Sequence, residues 1–300
     1  MGVIGPALTA LLVLALGALA CGWLETRLLP AHADPGPATS IQLSPDQQPD
    51  RADRWMYPAG PILALMSVAL GAVVIPFGPG LVVADLTIGV FYFLVVVDIF
   101  VLGLSLGGWG TNQRNGVEVY YRATAQLVAY VVPLGLAYIG AIMMARSLST
   151  VAIVEAQRQL PFLLLQPIGF ALYLVTGLMQ CFRAPFQEAL AGTIDHGLLP
   201  LYGGWKALMW KLSLAGLLFV VAAMGAVLFL GGWLGPVLPG WLWMVLKTLA
   251  MAALMVWLGR QFQPLSTARM LELSWKVLTP IGLVNVLVVG GLILLGVGPA

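Results

Sequence analysis

The chain alternates between long apolar stretches and shorter polar segments. A window of about 19 residues, matched to the length of a membrane-spanning helix, locates eight apolar stretches. They are apolar on every face, whereas the strands of a membrane barrel alternate apolar and polar residues over about ten positions. The pattern predicts an all-α, polytopic integral membrane protein, a single domain over 1–300 with about eight transmembrane helices near residues 3–24, 58–76, 86–107, 123–145, 161–180, 209–231, 239–258 and 276–298.

The composition excludes a soluble fold and several kinds of site. Of the 300 residues, 60% are hydrophobic and only 9% are charged, against roughly 25% charged in an ordinary soluble domain. The net charge of +2 is too small to indicate a nucleic-acid partner. Cys21 and Cys181 lie in no CxxC motif, and His32 and His196 are isolated, so no metal site is predicted.

Basic residues predict the orientation of the chain. Eleven of the fourteen Lys and Arg residues fall in the first, third, fifth and seventh loops between the spans, and two fall in the fourth. The positive-inside rule therefore predicts that the odd-numbered loops are cytoplasmic and that both termini lie on the outer side. Residues 25–57 form the one long polar segment and are predicted to be a cytoplasmic loop between spans 1 and 2, either mobile or covered by a partner.

Three acidic or basic residues are predicted to lie within the spans, where an isolated charge is costly. Asp98 and Lys247 are expected to lie close together, either as a structural ion pair, as side chains wetted at a partner interface, or as a step in an ion path. Asp85 opens the third span and is either a helix N-cap or a functional residue.

Two predicted cytoplasmic segments are unusually polar or basic for their position. Residues 107–116 are rich in glycine and amides and precede Tyr120-Tyr121-Arg122. Arg183-Ala184-Pro185-Phe186 follows the fifth span. Each segment is either a turn anchored at the membrane interface by aromatic and basic residues, or a surface that contacts a headgroup, an acidic partner or anionic lipid.

Short motifs along most of the chain resemble those of the NuoH-type family of respiratory complex I, a family of membrane subunits that is related to subunits of membrane-bound hydrogenases. Each motif is weak alone, and their order along the chain makes the set specific. The motifs are Val83-Ala84-Asp85-Leu86-Thr87-Ile88-Gly89, Gly108-Trp109-Gly110-Thr111-Asn112, Arg122-Ala123-Thr124-Ala125-Gln126, Ile153-Val154-Glu155-Ala156-Gln157, Arg183-Ala184-Pro185-Phe186, Leu230-Gly231-Gly232-Trp233, Leu246-Lys247-Thr248 and Trp275-Lys276-Val277.

The resemblance implies a membrane subunit of a complex I-like redox complex of the NADH-quinone oxidoreductase type. Such a subunit lies under the soluble redox arm in the bacterial cytoplasmic (inner) membrane, at the base of a quinone chamber. The implied partners are other membrane subunits, soluble iron–sulfur subunits, lipid and quinone; this chain itself would bind no cofactor, and it would be a non-catalytic subunit. The residues implied to contact the soluble arm or the quinone side are Trp109, Asn112, Arg114, Arg122, Gln126, Arg183 and Phe186.

The sequence departs from the family at the acids that carry protons. Val131 and Gln180 stand where the family has glutamates, and the acid expected between 210 and 218 is missing. Glu25-Thr26-Arg27 retains the first acid. Because an amide or a valine cannot carry a proton as a carboxylate does, the usual proton path is expected to be impaired. A hydrogenase- or formate-linked complex, a purely structural subunit and a stand-alone secondary transporter remain alternatives.

Overall fold

The computed structural model describes residues 4–28, 49–191 and 198–296, and within these ranges all regular structure is helical. The α-helices are α1 (Ile4–Leu28), α2 (Met56–Ala72), α3 (Gly89–Gly110), α4 (Arg114–Ala145), α5 (Thr150–Ala156), α6 (Phe162–Leu165), α7 (Pro167–Gln180), α8 (Glu188–Ala191), α9 (Gly204–Phe229), α10 (Gly240–Arg260), α11 (Thr267–Leu273) and α12 (Thr279–Leu294). A 3₁₀ turn (Leu199–Leu201) precedes α9, and a π-helical turn (Ser274–Leu278) joins α11 to α12.

Each of the eight predicted apolar stretches falls on helix, so the all-α prediction is confirmed. In the part of the chain that the structure describes, five helices are long and apolar enough to cross a membrane: α3, α4, α9, α10 and the continuous segment Thr267–Leu294. Shorter apolar helices occur at Leu12–Glu25, Met56–Ala72 and Pro167–Gln180. The exact number of crossings and the side on which the termini lie stay predictions.

The structure moves several predicted boundaries. Helix α4 begins at Arg114 rather than near residue 123. The predicted fifth span is divided, because Gln166 leaves helical geometry (φ −138°, ψ 66°) immediately before Pro167, which begins α7. The polar segment assigned to 25–57 was placed wrongly at its start, since α1 continues to Leu28. Residues 29–48 of that segment lie outside the described residues.

Helix α9 forms the centre of the bundle and is buried almost on every side, whereas α12 is largely exposed. Helices α2 and α3 approach most closely through glycines: a Cβ added at Gly60 would lie 2.6 Å from the Cα of Gly107. Small residues permit such close helix contacts in membranes, where apolar side chains gain little by leaving lipid. The packing thus fixes the end of α3 that leads into the glycine-rich turn.

The chain before α2 is tied to the same turn. The backbone N–H of Asp53 donates to the carbonyl oxygen of Gly110 (2.8 Å). The Asp53 carboxylate in turn accepts hydrogen bonds from the backbone N–H groups of Met56 and Trp55, and these lower its pKa. The Tyr202 hydroxyl adds a hydrogen bond to the carbonyl of Gly107 (3.0 Å). Three separate segments therefore hold the end of α3.

Candidate functional site

The glycine-rich segment 107–116 comprises the last residues of α3, a tight three-residue turn and the first residues of α4. The Thr111 hydroxyl donates to the carbonyl of Gly108 (2.7 Å), and a Cβ at Gly108 would lie 2.5 Å from the carbonyl oxygen of Gly116. Asn112 adopts the left-handed conformation (φ 53°), which asparagine tolerates better than most residues. The glycines are thus required by close backbone packing, and the segment presents its other side chains on a fixed frame.

Exposed aromatic and basic side chains surround this turn. Trp109 is 58% exposed and lies 6.1 Å from the ring of Tyr120. Glu118 lies between Arg114 Nε (3.3 Å) and Arg122 Nη2 (3.4 Å), so it spaces the two guanidinium groups along one face of α4. We call the turn and the adjoining parts of α3 and α4, which carry Trp109, Asn112, Arg114 and Arg122, the α3–α4 surface. Four of the predicted contact residues are therefore exposed or half-buried at or near this turn.

Gln126 is buried and joins α4 to the segment that follows α7. Its Nε2 donates to the carbonyl oxygens of Met179 (2.6 Å) and Phe186 (3.0 Å). Met179 lies in the last turn of α7 and Phe186 in the loop that follows, so the amide donates to two carbonyls that lack a regular helical partner four residues on. Gln126 therefore fixes the Arg183–Phe186 segment relative to α4, and it is not itself a surface contact.

Arg183 is also buried, and its contacts within the chain are internal; its predicted contact with the soluble arm or the quinone side stays a prediction. Its Nε lies 2.8 Å from Glu25 Oε1, and its Nη2 donates to the carbonyl of Leu214 (3.3 Å). Glu25, which the sequence pattern placed in a loop, lies near the end of α1 and is buried. The backbone carbonyl of Glu25 accepts from Arg260 Nη2 (3.2 Å). Arg183 thus ties together α1, α9 and the end of α7 as an internal ion pair.

Phe186 is buried beside an apolar cavity of about 340 Å³. The peptide bond between Ala184 and Pro185 is cis. The cavity is lined by side chains from α7, α10, α11, the loops that follow α7 and α10, and the π-helical turn. These are Val175, Leu178, Pro185, Phe186, Leu258, Phe262, Leu265, Leu273 and Leu278. The cavity has the chemistry of a site for a hydrocarbon chain.

Asp98 lies part-way along α3 and is partly buried. Its Oδ1 accepts hydrogen bonds from the Tyr130 hydroxyl (2.9 Å) and from Gln180 Nε2 (3.1 Å). Among the described residues, no Lys, Arg or His lies within ion-pair distance of this carboxylate. We call Asp98, Tyr130 and Gln180 the Asp98 cluster; it joins α3, α4 and α7.

Lys247 has a different set of partners, so the predicted pairing of Asp98 with Lys247 is wrong. Its Nζ donates to the carbonyl oxygens of Leu230 (2.6 Å) and Leu234 (2.7 Å). Leu230 is the C-cap of α9, where the helix dipole and unpaired carbonyls attract a cation. The flexible lysine stem reaches this helix end instead of α3.

Asp85 lies outside the helical part of the predicted third span. It lies in the loop before α3, whose N-cap is Ile88, so the alternative of an N-cap is also wrong. Asp85 Oδ1 accepts a hydrogen bond from Ser149 (2.8 Å), the N-cap of α5. The contact ties two loops together at the ends of α3 and α5.

Sequence reasoning missed a second buried polar group. Gln166 and Asn285 are 2% and 1% exposed, and both side-chain amides face Gly140 and Gly169. Polar amides inside apolar stretches were the available signal. Elsewhere in the described ranges, no three His, Cys, Asp or Glu side chains are grouped so that they could hold a metal ion.

Comparison with known proteins places the chain in a family. The family model described as NADH dehydrogenase matches residues 42–290. The chain belongs to this family. The H subunit of the NADH-quinone oxidoreductase of Syntrophotalea carbinolica is 36% identical over 253 residues, which cover 81% of this chain and 77% of that protein. A corresponding H subunit of Rhodopseudomonas palustris (strain HaA2) is 35% identical over an alignment of 306 positions, gaps included, which covers 96% of each chain.

A solved structure agrees on the fold. A chain of the membrane-bound sulfane sulfur reductase, an archaeal respiratory membrane complex, superposes with a TM-score of 0.83 at 21% identity, covering 96% of this chain and all of that chain. At that identity the likeness is one of fold alone. Together with the two bacterial relatives, the family match confirms the resemblance drawn from the motifs.

Proposed function

We propose that this chain is the membrane subunit of an NADH-quinone oxidoreductase-type complex on which the soluble redox arm docks. The observation that carries the proposal is the α3–α4 surface. It presents an exposed tryptophan and two arginines at the membrane end of a rigid turn, and it lies within the motifs shared with the NuoH-type family. Aromatic and arginine side chains are those that contribute most at protein interfaces.

The rigidity of this surface supports a docking role. Gly107 and Gly110 are each held by a neighbouring segment, and Glu118 keeps the two arginines apart. A surface that is ordered before binding loses little conformational entropy when a partner arrives. A mere interfacial anchor would not need this degree of backbone fixation.

The apolar cavity beside Phe186 supports a position near a quinone. A quinone has a polar ring and a hydrocarbon tail, and the cavity is suited to the tail or to a lipid chain. In this proposal the ring itself is bound between this chain and its soluble partner. The chain contributes no redox centre, and iron–sulfur clusters belong to neighbouring subunits.

The proposal includes the setting of the subunit. Other membrane subunits and soluble subunits surround it, as the names of the relatives imply, and the complex lies in the bacterial cytoplasmic membrane. The lost acids at Val131 and Gln180 indicate that protons do not follow the usual row of carboxylates. A hydrogenase- or formate-linked complex of the same superfamily is the runner-up, and those lost acids are the observation that favours it.

Affinity purification from native membranes tests the docking proposal. A tagged chain is solubilised in mild detergent, and co-purifying subunits and iron–sulfur signals are recorded together with quinone-dependent NADH oxidation. Arg114→Glu with Arg122→Glu should release the soluble subunits while the membrane subunits remain bound. Arg158→Glu is the matched control, because Arg158 is an exposed arginine paired with a nearby Glu155 away from this surface.

Each result has a definite meaning. Purification of the tagged chain alone in an active, stable form would favour a transporter and overturn the proposal. A hydrogenase or formate dehydrogenase among the co-purified proteins would favour the runner-up. Equal recovery of the soluble subunits from the double variant and from the control would exclude the α3–α4 surface as the docking site.

A further inference from the structure

Asp98 is a carboxylate inside a membrane-spanning helix without a cationic partner in the described part of the chain. An isolated charge in the centre of a membrane-spanning helix is costly, so such residues are rare and often mark ion or proton paths. The Glu25–Arg183 pair shows the alternative within the same molecule, since there a cation compensates the acid.

The partners of Asp98 suit both of its protonation states. A tyrosine hydroxyl and a glutamine amide can each donate or accept a hydrogen bond. With the ionised acid, Tyr130 and Gln180 Nε2 donate to Oδ1, as observed. With the neutral acid, rotation of the Gln180 amide presents Oε1 as an acceptor, and this oxygen is buried with no other hydrogen-bond partner among the described groups. A lysine or arginine partner could only donate and would hold the acid ionised.

Asp98 lies next to one of the two positions at which the sequence lacks an acid and contacts the residue before the other. Gln180, which occupies one of the two positions, is hydrogen-bonded to Asp98, and Val131, which occupies the other, follows its second partner, Tyr130. Asp98 also lies between Val95 and Leu102, which are 52% and 57% exposed, so the cluster lies close to the outer surface of this chain.

The surroundings contain few other ionisable groups. Tyr130 and Tyr138 of α4 lie nearby, and Cys181 follows α7. Helix α2 also packs on α3. Its one ionisable side chain is Tyr57, which lies near Gly110 at the end of α3. Arg183, two residues beyond Cys181, is already paired with Glu25. Asp98 is therefore the one acid within this group of side chains.

We propose that Asp98 binds and releases a proton during the reaction cycle of the complex and takes the place of the missing acids at 131 and 180. The step is a protonation: Oδ2 takes up a proton from water, the charge of the carboxylate is neutralised, and the same proton later returns to water or to a neighbouring acceptor. No electron passes through the residue. This inference rests on the proposed function, because the redox reaction of the partner subunits supplies the driving force.

Infrared difference spectroscopy of the purified complex detects the proton directly. A protonated carboxylic acid has a carbonyl stretch that is separate from the carboxylate and amide bands. Oxidised-minus-reduced spectra should show this band in the native complex, with a shift in D₂O. Asp98→Asn should abolish it, and Glu155→Gln, the same acid-to-amide change at an exposed residue, should leave it.

A relocation experiment separates a proton-binding role from a structural one. In Asp98→Asn/Gln180→Glu the acid is moved to its hydrogen-bonded neighbour, and an asparagine amide can donate to it. We expect the carboxylic acid band and proton transport in proteoliposomes to be lost in Asp98→Asn and to return in the double variant. Asp98→Glu keeps the carboxyl group at the same helix position and should retain both signals if the double variant fails to assemble.

Two results would overturn the inference: a carboxylic acid band that persists in Asp98→Asn, or proton transport per electron in that variant equal to the native value. Either could occur in a complex that purifies with its soluble subunits and oxidises NADH normally, and the proposed function would then stand. Absence of the soluble subunits from the native preparation would instead overturn the proposed function, whatever the spectra show.

Discussion

Asp98 and Lys247 are opposite charges in the same helical bundle, yet the structure accommodates them in different ways. Lys247 binds two backbone carbonyls at the end of α9, and these can only accept hydrogen bonds. Asp98 binds a hydroxyl and an amide side chain, which can donate or accept. The lysine partners thus favour one protonation state, whereas the aspartate partners are compatible with two.

This difference teaches that the cost of an intramembrane charge does not by itself indicate function. Lys247 donates to carbonyl oxygens at the C-terminal end of α9, where a permanent cation is stabilising. Asp98 satisfies no backbone group, because the N–H and C=O groups in the middle of α3 are paired within the helix. The kinds of partner, rather than the burial of the charge, separate a structural residue from a candidate proton site.

The largest expected effect on stability comes from the buried ion pair between Glu25 and Arg183. It is the reference against which the variants of Asp98 and Lys247 are compared. Arg183→Leu leaves Glu25 buried without its cation, and we expect a loss of about 3–5 kcal/mol in stability. Glu25→Leu/Arg183→Leu should recover much of this loss, because no unpaired charge remains. The fraction of tagged chain that stays soluble in the complex after heating provides the measurement. Equal losses in the single and double variants would argue against the pair.

Lys247→Met should have the next largest effect on stability. It leaves the carbonyls of Leu230 and Leu234 without this donor, and because both residues are only half-buried we expect a total cost of about 1–2 kcal/mol. The same heating assay measures the loss, and Lys276→Met, at an exposed lysine paired with Glu272, is the control. Unchanged stability in Lys247→Met would mean that the helix end does not depend on the lysine.

Asp98→Asn should change stability by less than about 1 kcal/mol. The amide oxygen of asparagine can still accept from Tyr130 and Gln180, so both hydrogen bonds remain. A loss as large as that of Arg183→Leu, seen in the heating assay, would show that the charge of Asp98 is required by the fold and would weaken the distinction from Lys247.

The smallest expected effect is the coupling between the two residues. Because Asp98 and Lys247 have separate partners, the stability losses of Asp98→Asn and Lys247→Met should add to within about 0.5 kcal/mol in the double variant. Glu25 and Arg183 should be strongly non-additive in the same analysis. A large coupling between Asp98 and Lys247 would restore the ion pair that the structure excludes.

Apolar periodicity predicted the helices because a bilayer requires long apolar segments with internally paired backbones. It could not locate the division at Gln166 or the early start of α4 at Arg114, since a polar helix extending beyond the membrane resembles a loop in a hydropathy window. Glycines and motifs singled out the 107–116 segment, and in the structure close backbone packing decides its conformation.

The contact partners of the charged residues could not be predicted from the sequence. Whether Asp98 meets Lys247 or Tyr130 depends on helix rotation and depth, which apolar residues on every face leave undetermined. The Glu25–Arg183 pair joins residues that are distant along the chain, and each appeared to lie in a loop. Sequence therefore indicated which residues carry chemistry, and three-dimensional packing determined which of them meet.

Proton transport per electron, measured side by side for Asp98→Asn and Lys247→Met in proteoliposomes of the purified complex, tests the central distinction most directly. Electron transfer is followed as quinone-dependent NADH oxidation, and proton movement is followed with an internal pH indicator. The account predicts that the ratio is lost in Asp98→Asn and unchanged, per assembled complex, in Lys247→Met. A native ratio in Asp98→Asn, or a ratio lost only in Lys247→Met, would contradict it.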